Sequence, residues 1–226
     1  MNELCTVDFH THYDWQSPLC CPENICRVIS TPLENALLDI PGCVLQTLEL
    51  HPWNGNFWSK EFERTALNGK FAGIGEVGLD QLRGKLPLKE QLLILRKACE
   101  FAEAHQKTLT IHCVKCFSEL LGLYKQIRWQ TPTIIHYFRS GLPLARQLWE
   151  HTHFTLSLPP AALAQITLWD FLRNHREYQS RIVLETDDPH HGDIEAHYLQ
   201  AAARLGITLE ELQKLMQTQL RKLYNV

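Results

Sequence analysis

The sequence predicts an α/β fold of the TIM-like (β/α)8 barrel class, distorted or shortened between its second and third strands. Short runs rich in Val, Ile, Leu and Thr recur along the chain and alternate with segments of helical periodicity. The length of 226 residues suits one large domain of this class. Polar residues that can bind metal ions stand at the ends of several of these runs, as expected where chemistry gathers at the carboxyl ends of barrel strands.

Eight runs have the length and composition of buried strands. In chain order, the predicted strands are Leu4–His10, Ile25–Ser30, Val44–Leu50, Phe71–Glu76, Thr108–His112, Thr133–His136, His153–Leu158 and Arg181–Thr186. The second of them is the weakest. Between the second and third strands, Thr31–Pro41 leaves room for about two helical turns, so we expect the barrel to be irregular there.

The predicted helices are clearest in the second half of the chain. Leu88–His105 carries one apolar stripe whose members are spaced four and three residues apart. Shorter stripes predict helices at Phe117–Tyr124 and Leu144–Trp149, and the amphipathic tail Leu209–Tyr224 predicts a closing helix. Because the sequence has no linker, internal repeat or low-complexity stretch, we predict a single domain over residues 1–226.

Composition and charge argue against several classes of protein. The formal net charge is −3 and no long basic run occurs, which disfavours tight binding of long duplex nucleic acid but allows a pocket for one phosphodiester. No apolar run is long enough to cross a membrane, and the first residues lack a basic and apolar signal segment. The eight cysteines fit a reducing compartment. We therefore expect a cytoplasmic protein with no membrane partner.

Six side chains are predicted to bind metal ions, because each stands at or near the end of a predicted strand. They are His10, His12, Glu76, His112, His136 and Asp187. His10 and His12 are two residues apart on an extended segment, so both side chains point to the same face. Glu76 can hold a different cation with each carboxylate oxygen, which is a common way to build a two-metal centre.

The donors in this set are imidazole nitrogens and carboxylate oxygens, which suit two divalent cations such as Zn²⁺, Mn²⁺ or Mg²⁺. His112 and His136 each follow a run that is too apolar for an imidazole without a partner. Asp187 ends the last strand, and we predict that it is both a ligand and the base that takes a proton from water. Asp8 is expected one layer deeper, where it would orient a histidine.

The order of these motifs resembles that of the TatD family of metal-dependent hydrolases, which belongs to the amidohydrolase superfamily. The motifs are His10-Thr11-His12, Gly75-Glu76-Val77-Gly78-Leu79-Asp80, His112, His136 and Leu184-Glu185-Thr186-Asp187, with His51-Pro52 after the third strand. The resemblance implies a distorted barrel with two cation sites that share Glu76. The first site would be formed by His10, His12, Glu76 and Asp187, and the second by Glu76, His112 and His136.

The resemblance also implies phosphodiester hydrolysis, often of DNA and with 3′-to-5′ exonuclease polarity. We therefore expect a hydrolase in which a water activated by two metal ions attacks phosphorus, with Glu76 and Asp187 as the catalytic carboxylates. His51, Lys115 and Arg139 are the candidate phosphate contacts. The expected substrate is nucleic acid, as single-stranded DNA or DNA ends.

Two other functions fit the same residues. An amidohydrolase that cleaves a small amide or lactone has almost the same site, although Glu76 stands where a carboxylated lysine would favour that reaction. A metal-holding subunit of a larger DNA repair or defence assembly is the other alternative, and the complete ligand set disfavours it. The sequence leaves the native metal, the choice of DNA or RNA, the oligomeric state and the protein partners open.

Overall fold

The computed structural model describes residues 5–15, 24–42, 44–188 and 193–226. In these residues, α-helices alternate with strands from the third strand onward. The strands are β1 (Thr6–His12), β2 (Ile25–Pro32), β3 (Val44–Leu50), β4 (Phe71–Asp80), β5 (Thr108–Val114), β6 (Thr133–Ile135), β7 (Thr155–Leu158) and β8 (Ile182–Leu184). The helices are α1 (Lys60–Ala66), α2 (Leu88–Ala104), α3 (Phe117–Ile127), α4 (Leu142–His151), α5 (Ile166–Asn174), α6 (Ile194–Leu205) and α7 (Leu209–Tyr224).

The eight strands form one sheet in which each strand is hydrogen-bonded to the next along the chain, from β1 to β8. The pairs β3–β4, β4–β5, β5–β6 and β7–β8 are parallel. The first and last strands also meet, because Thr11 and Asp187 form a parallel bridge and the Asp187 N–H donates to the His10 carbonyl oxygen at 3.0 Å. The predicted (β/α)8 barrel is therefore confirmed.

The connection between β2 and β3 is irregular, as predicted. Its only described helical piece is a single 3-10 turn, Leu33–Asn35. The Lys70 ammonium group donates hydrogen bonds to the carbonyl oxygens of Ala36 and Leu38, just beyond that turn. A charged donor thus replaces the hydrogen bonds that a longer helix would make internally.

The observed strands differ from the predicted ones mainly at β4. The strand does not end at Glu76 but continues to Asp80, because Val77 and Leu79 are buried and the pairing with β5 runs on as far as Asp80 and Val114. The predicted start of the first strand at Leu4 lies outside the described residues. Glu76 is therefore a strand residue, and its position needs a local explanation.

The four predicted helices are confirmed, and α1, α5 and α6 were not predicted. The short helix α1 buries only Phe62 and Ala66, so it shows little apolar periodicity. Its start is set instead by the Ser59 hydroxyl, which accepts from the Phe62 N–H at 3.1 Å. The start of α6 is set in the same way by the Asp193 carboxylate, which accepts from two N–H groups of the first turn.

The chain divides into two compact units, each with buried aromatic residues. The first unit is Met1–Ile29, Ile40–Leu45 and Tyr137–Val226, with Phe9, Phe154, Trp169 and Tyr198 in its core. The second is Ser30–Asp39 and Gln46–His136, with Phe62, Phe71 and Leu95 in its core. The single domain over residues 1–226 stays a prediction. Among the described residues, no helix is both long and apolar enough to span a membrane.

Acid sensitivity of the fold is predicted at His197, a histidine of α6 that is 1% exposed. Burial of its ring lowers its pKa, although the hydrogen bond from Nε2 to the Leu158 carbonyl oxygen at 2.8 Å opposes that shift. Below the ordinary histidine pKa of about 6.5, the unfolded chain binds a proton at His197 that the folded chain does not bind. The unfolding free energy therefore decreases as the pH is lowered, by up to about 1.4 kcal/mol per pH unit.

The substitution His197→Gln keeps an N–H donor but does not titrate. We expect its unfolding free energy, relative to that of the unmodified protein, to rise as the pH falls from 7.5 to 5, measured by urea denaturation. Gln179→Leu provides the control, because it disrupts a buried hydrogen bond without removing a titrating group and should leave the slope of unfolding free energy against pH unchanged. An unchanged slope in His197→Gln would contradict this prediction.

Candidate metal centre

A bulge in β4 sets the position of Glu76. Between Ile74 and Val77, β4 has one residue more than the facing segments of β3 and β5. Gly75 and Glu76 therefore lie together opposite a single residue on each neighbouring strand, Glu49 on β3 and Thr110 on β5. Glycine is required at position 75, because its φ is +137° and a Cβ atom there would collide with the Thr110 backbone. The bulge places a buried glutamate, 1% exposed, in the middle of a parallel strand.

Three histidine rings converge on one oxygen of Glu76. Oε1 lies 2.9 Å from Nε2 of His51, 2.6 Å from Nδ1 of His112 and 2.9 Å from Nε2 of His136. All three rings belong to buried residues that are in or directly after β3, β5 and β6. The structure thus gathers Glu76, His112 and His136, which were predicted to share a cation, and their role as ligands stays a prediction.

Asp80, at the end of β4, orients the ring of His112. Its Oδ2 lies 3.0 Å from Nε2 of His112 and accepts from the Trp53 indole N–H at 2.6 Å. Burial of the Asp80 carboxyl opposes ionisation, but these bonds and the backbone N–H groups of Arg83 and Leu82 outweigh it and lower the pKa of Asp80. A carboxylate that accepts from Nε2–H leaves the Nδ1 lone pair free to face a cation, which is a common arrangement for metal-bound histidines.

The tautomer of His51 is set by the backbone. The Trp53 N–H donates to Nδ1 of His51 at 3.0 Å, so a neutral ring carries its proton on Nε2 and donates it to Glu76. His51 is therefore better suited to donate a hydrogen bond to an anion than to bind a cation. Its role as a phosphate contact stays a prediction.

The remaining predicted ligands lie in the first unit, close to one another. Oδ1 of Asp187 is 3.6 Å from Nε2 of His10 and 3.7 Å from Nε2 of His12. The Asp187 side chain is 31% exposed, whereas His10 is buried. Asp187 is held by the backbone as well, because its N–H and carbonyl groups pair with β1 on either side of Thr11. The two histidines and the carboxylate thus share one small region, as predicted.

Asp8 was expected to orient a histidine, but its hydrogen bonds are made with Thr186. The Thr186 N–H donates to Oδ1 at 3.0 Å and the Thr186 hydroxyl donates to Oδ2 at 2.6 Å. Burial raises the pKa of the Asp8 carboxyl to about 7, against the lowering effect of these two bonds. Asp8 therefore fixes the residue that directly precedes Asp187.

The other two predicted phosphate contacts follow β5 and β6 and are exposed. Lys115 follows β5 with a φ of +58°, and the Arg139 guanidinium carbon lies 5.7 Å from the ring centre of Tyr137. Tyr137 and Asp187 also have positive φ, at +49° and +66°. Left-handed backbone is unusual for residues with side chains, and its recurrence within three residues of the ends of β5, β6 and β8 is often found at functional sites.

The donor set fits divalent metal ions. His51, Glu76 and His112 each offer a ligand atom, and these atoms all lie within 4.8 Å of one another. The donors are nitrogen and oxygen atoms of mostly buried groups, as expected for Zn²⁺ or Mn²⁺. Within this group, the hydrogen bond to Nδ1 leaves His51 a proton on the nitrogen that faces Glu76, whereas Glu76 and His112 were predicted as ligands and stay so.

Sequence reasoning missed two residues beside the candidate metal centre. The Glu76 N–H donates to the Ser30 hydroxyl oxygen at 3.1 Å, and that hydroxyl lies 3.0 Å from the Glu49 carboxylate. Glu49 stands two residues before His51, so the alternation of a strand could have placed both side chains on the same face. Ser30 contacts Glu76 only because β4 has a bulge there, and the sequence does not show where the pairing between strands is irregular.

Comparison of this chain with known proteins indicates one family. A family model described as TatD related DNase matches residues 33–226. A hydrolase of the TatD family from Entamoeba histolytica has a TM-score of 0.76 at 14% identity, with 98% of this chain and 99% of that chain covered. A TatD homologue from Escherichia coli has a TM-score of 0.74 at 15% identity, with 99% and 100% covered. Among curated proteins, no match is found.

A prediction follows from the bulge. The substitution Gly75→Ala adds a Cβ atom against the Thr110 backbone in a conformation that favours glycine, and we expect it to lower the unfolding free energy by about 2–5 kcal/mol. Gly122→Ala is the matched control, because it lies in α3 with no atom within 4 Å of the added methyl group, and it should stabilise the protein slightly. Urea denaturation measures both, and equal stability of the two variants would be contrary to this expectation.

Proposed function

The chain belongs to the TatD family of metal-dependent hydrolases, and from that premise we propose that it is a phosphodiesterase, specifically a deoxyribonuclease that acts from 3′ ends. The observation that carries the proposal is the convergence of three imidazole nitrogens within 2.9 Å of Glu76 Oε1. Such a cluster of nitrogen and oxygen donors suits metal-assisted hydrolysis. We further propose that the enzyme acts in the cytoplasm on single-stranded DNA or DNA ends.

The proposed ligands divide into two sets that share Glu76. His10, His12, Glu76 and Asp187 would hold one divalent cation, and Glu76, His112 and His136 would hold the other. This division is the one that the family resemblance implies, and zinc or manganese suits its histidine content. When bound, two divalent ions supply Lewis acidity and make water a nucleophile near neutral pH.

Asp187 is the proposed general base. Its side chain is 31% exposed, so water and substrate can reach it, whereas Glu76 is almost fully buried. Its direction is fixed by the pairing with β1 and by Thr186, which Asp8 holds through two hydrogen bonds. A base held in this way does not have to reorganise when it accepts the proton of the attacking water.

Three groups of different character are proposed to hold the phosphate. His51 would donate a hydrogen bond through its Nε2–H, which donates to Glu76 in this structure. Lys115 offers a single positive charge and Arg139 a planar fork of donors, both on exposed side chains that follow strands. The presence of Glu76 rather than a lysine on β4 supports a phosphodiester substrate over a small amide or lactone.

The first test of this proposal is cleavage of a single-stranded oligonucleotide labelled at its 5′ end. The protein is treated with a chelator and then supplied with Mn²⁺, Zn²⁺ or Mg²⁺. We expect products that shorten one nucleotide at a time from the 3′ end. Glu76→Ala and Asp187→Ala should each lower the rate by at least about 10²-fold, because each removes a carboxylate needed for metal binding or proton transfer.

Asp170→Ala is the control for loss of an acidic side chain, since Asp170 is exposed on α5. Cleavage that persists in both the Glu76 and Asp187 variants would assign the activity to a contaminant or to another site. Turnover of small amides or lactones without any oligonucleotide cleavage would favour an amidohydrolase. Metal binding without turnover of either class would favour a metal-holding subunit of a larger assembly.

A second prediction concerns the phosphate contacts. Lys115→Gln and Arg139→Gln should each raise KM for the oligonucleotide by about tenfold with a smaller change in kcat, because each loses a charged contact made in both the bound and transition states. Lys115→Arg should restore binding in part. Lys125→Gln, on the exposed side of α3, is the matched control. Steady-state kinetics at several salt concentrations measure the effect, and an unchanged KM in both variants would rule out these contacts.

A further inference from the structure

A chain of hydrogen bonds links the backbone of Glu76 to a second buried carboxylate. The Glu76 N–H donates to the Ser30 hydroxyl oxygen at 3.1 Å, and this oxygen lies 3.0 Å from Oε2 of Glu49. The Asn54 amide donates to the other oxygen of Glu49 at 3.3 Å. Ser30 is 1% exposed and Glu49 is 8% exposed, so water does not replace these partners easily.

The bulge explains why the Glu76 backbone uses a side chain as its partner. The register with β3 and with β5 shifts between Ile74 and Val77, so Gly75 and Glu76 lie at an irregular point of both ladders. A buried N–H at such a point needs an acceptor of its own, because an unpaired buried donor is unfavourable. Ser30, on β2, supplies that acceptor.

Glu49 decides how the Ser30 hydroxyl is oriented. The hydroxyl has one hydrogen and two nearby acceptors, Glu49 Oε2 at 3.0 Å and the Gly75 carbonyl oxygen at 3.4 Å. The carboxylate is the nearer acceptor and can carry a negative charge, so it takes the hydrogen. The lone pairs of the hydroxyl oxygen are then free to accept from the Glu76 N–H.

We propose that Ser30 and Glu49 are positioning residues that fix the bulge at Glu76 and thereby hold its carboxylate in the geometry that binds the cations. Neither side chain is proposed to touch a metal ion or the substrate. The inference rests on the proposed function, since it requires Glu76 to be a ligand. Partners of this kind, which orient ligands, typically change metal affinity by 10- to 100-fold when they are removed.

The experiment measures metal affinity directly, by calorimetric titration of Mn²⁺ into the chelator-treated full chain. Ser30→Ala removes the acceptor and should weaken binding by about 10- to 100-fold. Ser30→Thr keeps the hydroxyl and should stay close to the unmodified protein. Glu49→Gln has a neutral amide that no longer dictates the direction of the hydroxyl, and it should give an intermediate loss with the same number of bound ions.

The same two strands offer a matched control. The Thr31 hydroxyl donates to the Gln46 side-chain oxygen at 3.2 Å, so Thr31→Val breaks a buried hydrogen bond between β2 and β3 that is not linked to Glu76. It should lower the unfolding free energy but leave Mn²⁺ affinity unchanged. Urea denaturation of every variant separates loss of stability from loss of binding, and Glu49→Gln provides the test if Ser30→Ala does not fold.

The outcomes separate this inference from the proposed function. Unmodified protein that binds no Mn²⁺ and no Zn²⁺ would overturn the proposed function and the inference with it. Unmodified protein that binds, together with Ser30→Ala and Glu49→Gln variants of equal affinity, would overturn the inference alone. A loss in Thr31→Val as large as that in Ser30→Ala would also overturn it, because the effect would then be one of general packing.

Discussion

The two-residue bulge in β4 is the constraint on which the rest of the site depends. A regular parallel strand would alternate its side chains between the two faces without interruption. By inserting one extra residue opposite both neighbouring strands, the chain brings Glu76 to the point where His51, His112 and His136 meet. Gly75 makes the bulge possible, and the candidate metal centre is therefore a consequence of backbone geometry as much as of residue chemistry.

The two candidate catalytic carboxylates lie in different surroundings, and the difference suits different tasks. Glu76 is enclosed by imidazole rings and almost inaccessible to water, which suits a permanent ligand. Asp187 is partly exposed and held through its backbone and Thr186, which suits a group that exchanges protons with solvent. Environment, rather than residue type, separates a structural carboxylate from a reactive one.

Much of the fold and most of the candidate ligands could be predicted from the sequence, because both depend on periodicity. The apolar runs locate β1 to β8, and the spacing of His10 and His12 places both on one face. The bulge could not be predicted, because it depends on how β4 pairs with β3 and β5, and no local sequence pattern shows that pairing. Ser30 was missed for the same reason, whereas Glu49 could have been found from its spacing of two residues before His51. Helix α1 was missed because a short helix with two buried residues has no clear stripe.

Lys115, Tyr137 and Asp187 share a left-handed backbone within three residues of the ends of their strands. Each such residue costs about 1–2 kcal/mol relative to an ordinary conformation, against a net stability of about 5–15 kcal/mol for a typical domain. Glycine would adopt these angles without that penalty, yet none of the three positions carries it. Substituting glycine at these positions to increase thermal stability would relieve the strain but remove the side chains. Higher stability there would therefore be gained at the expense of the proposed catalysis.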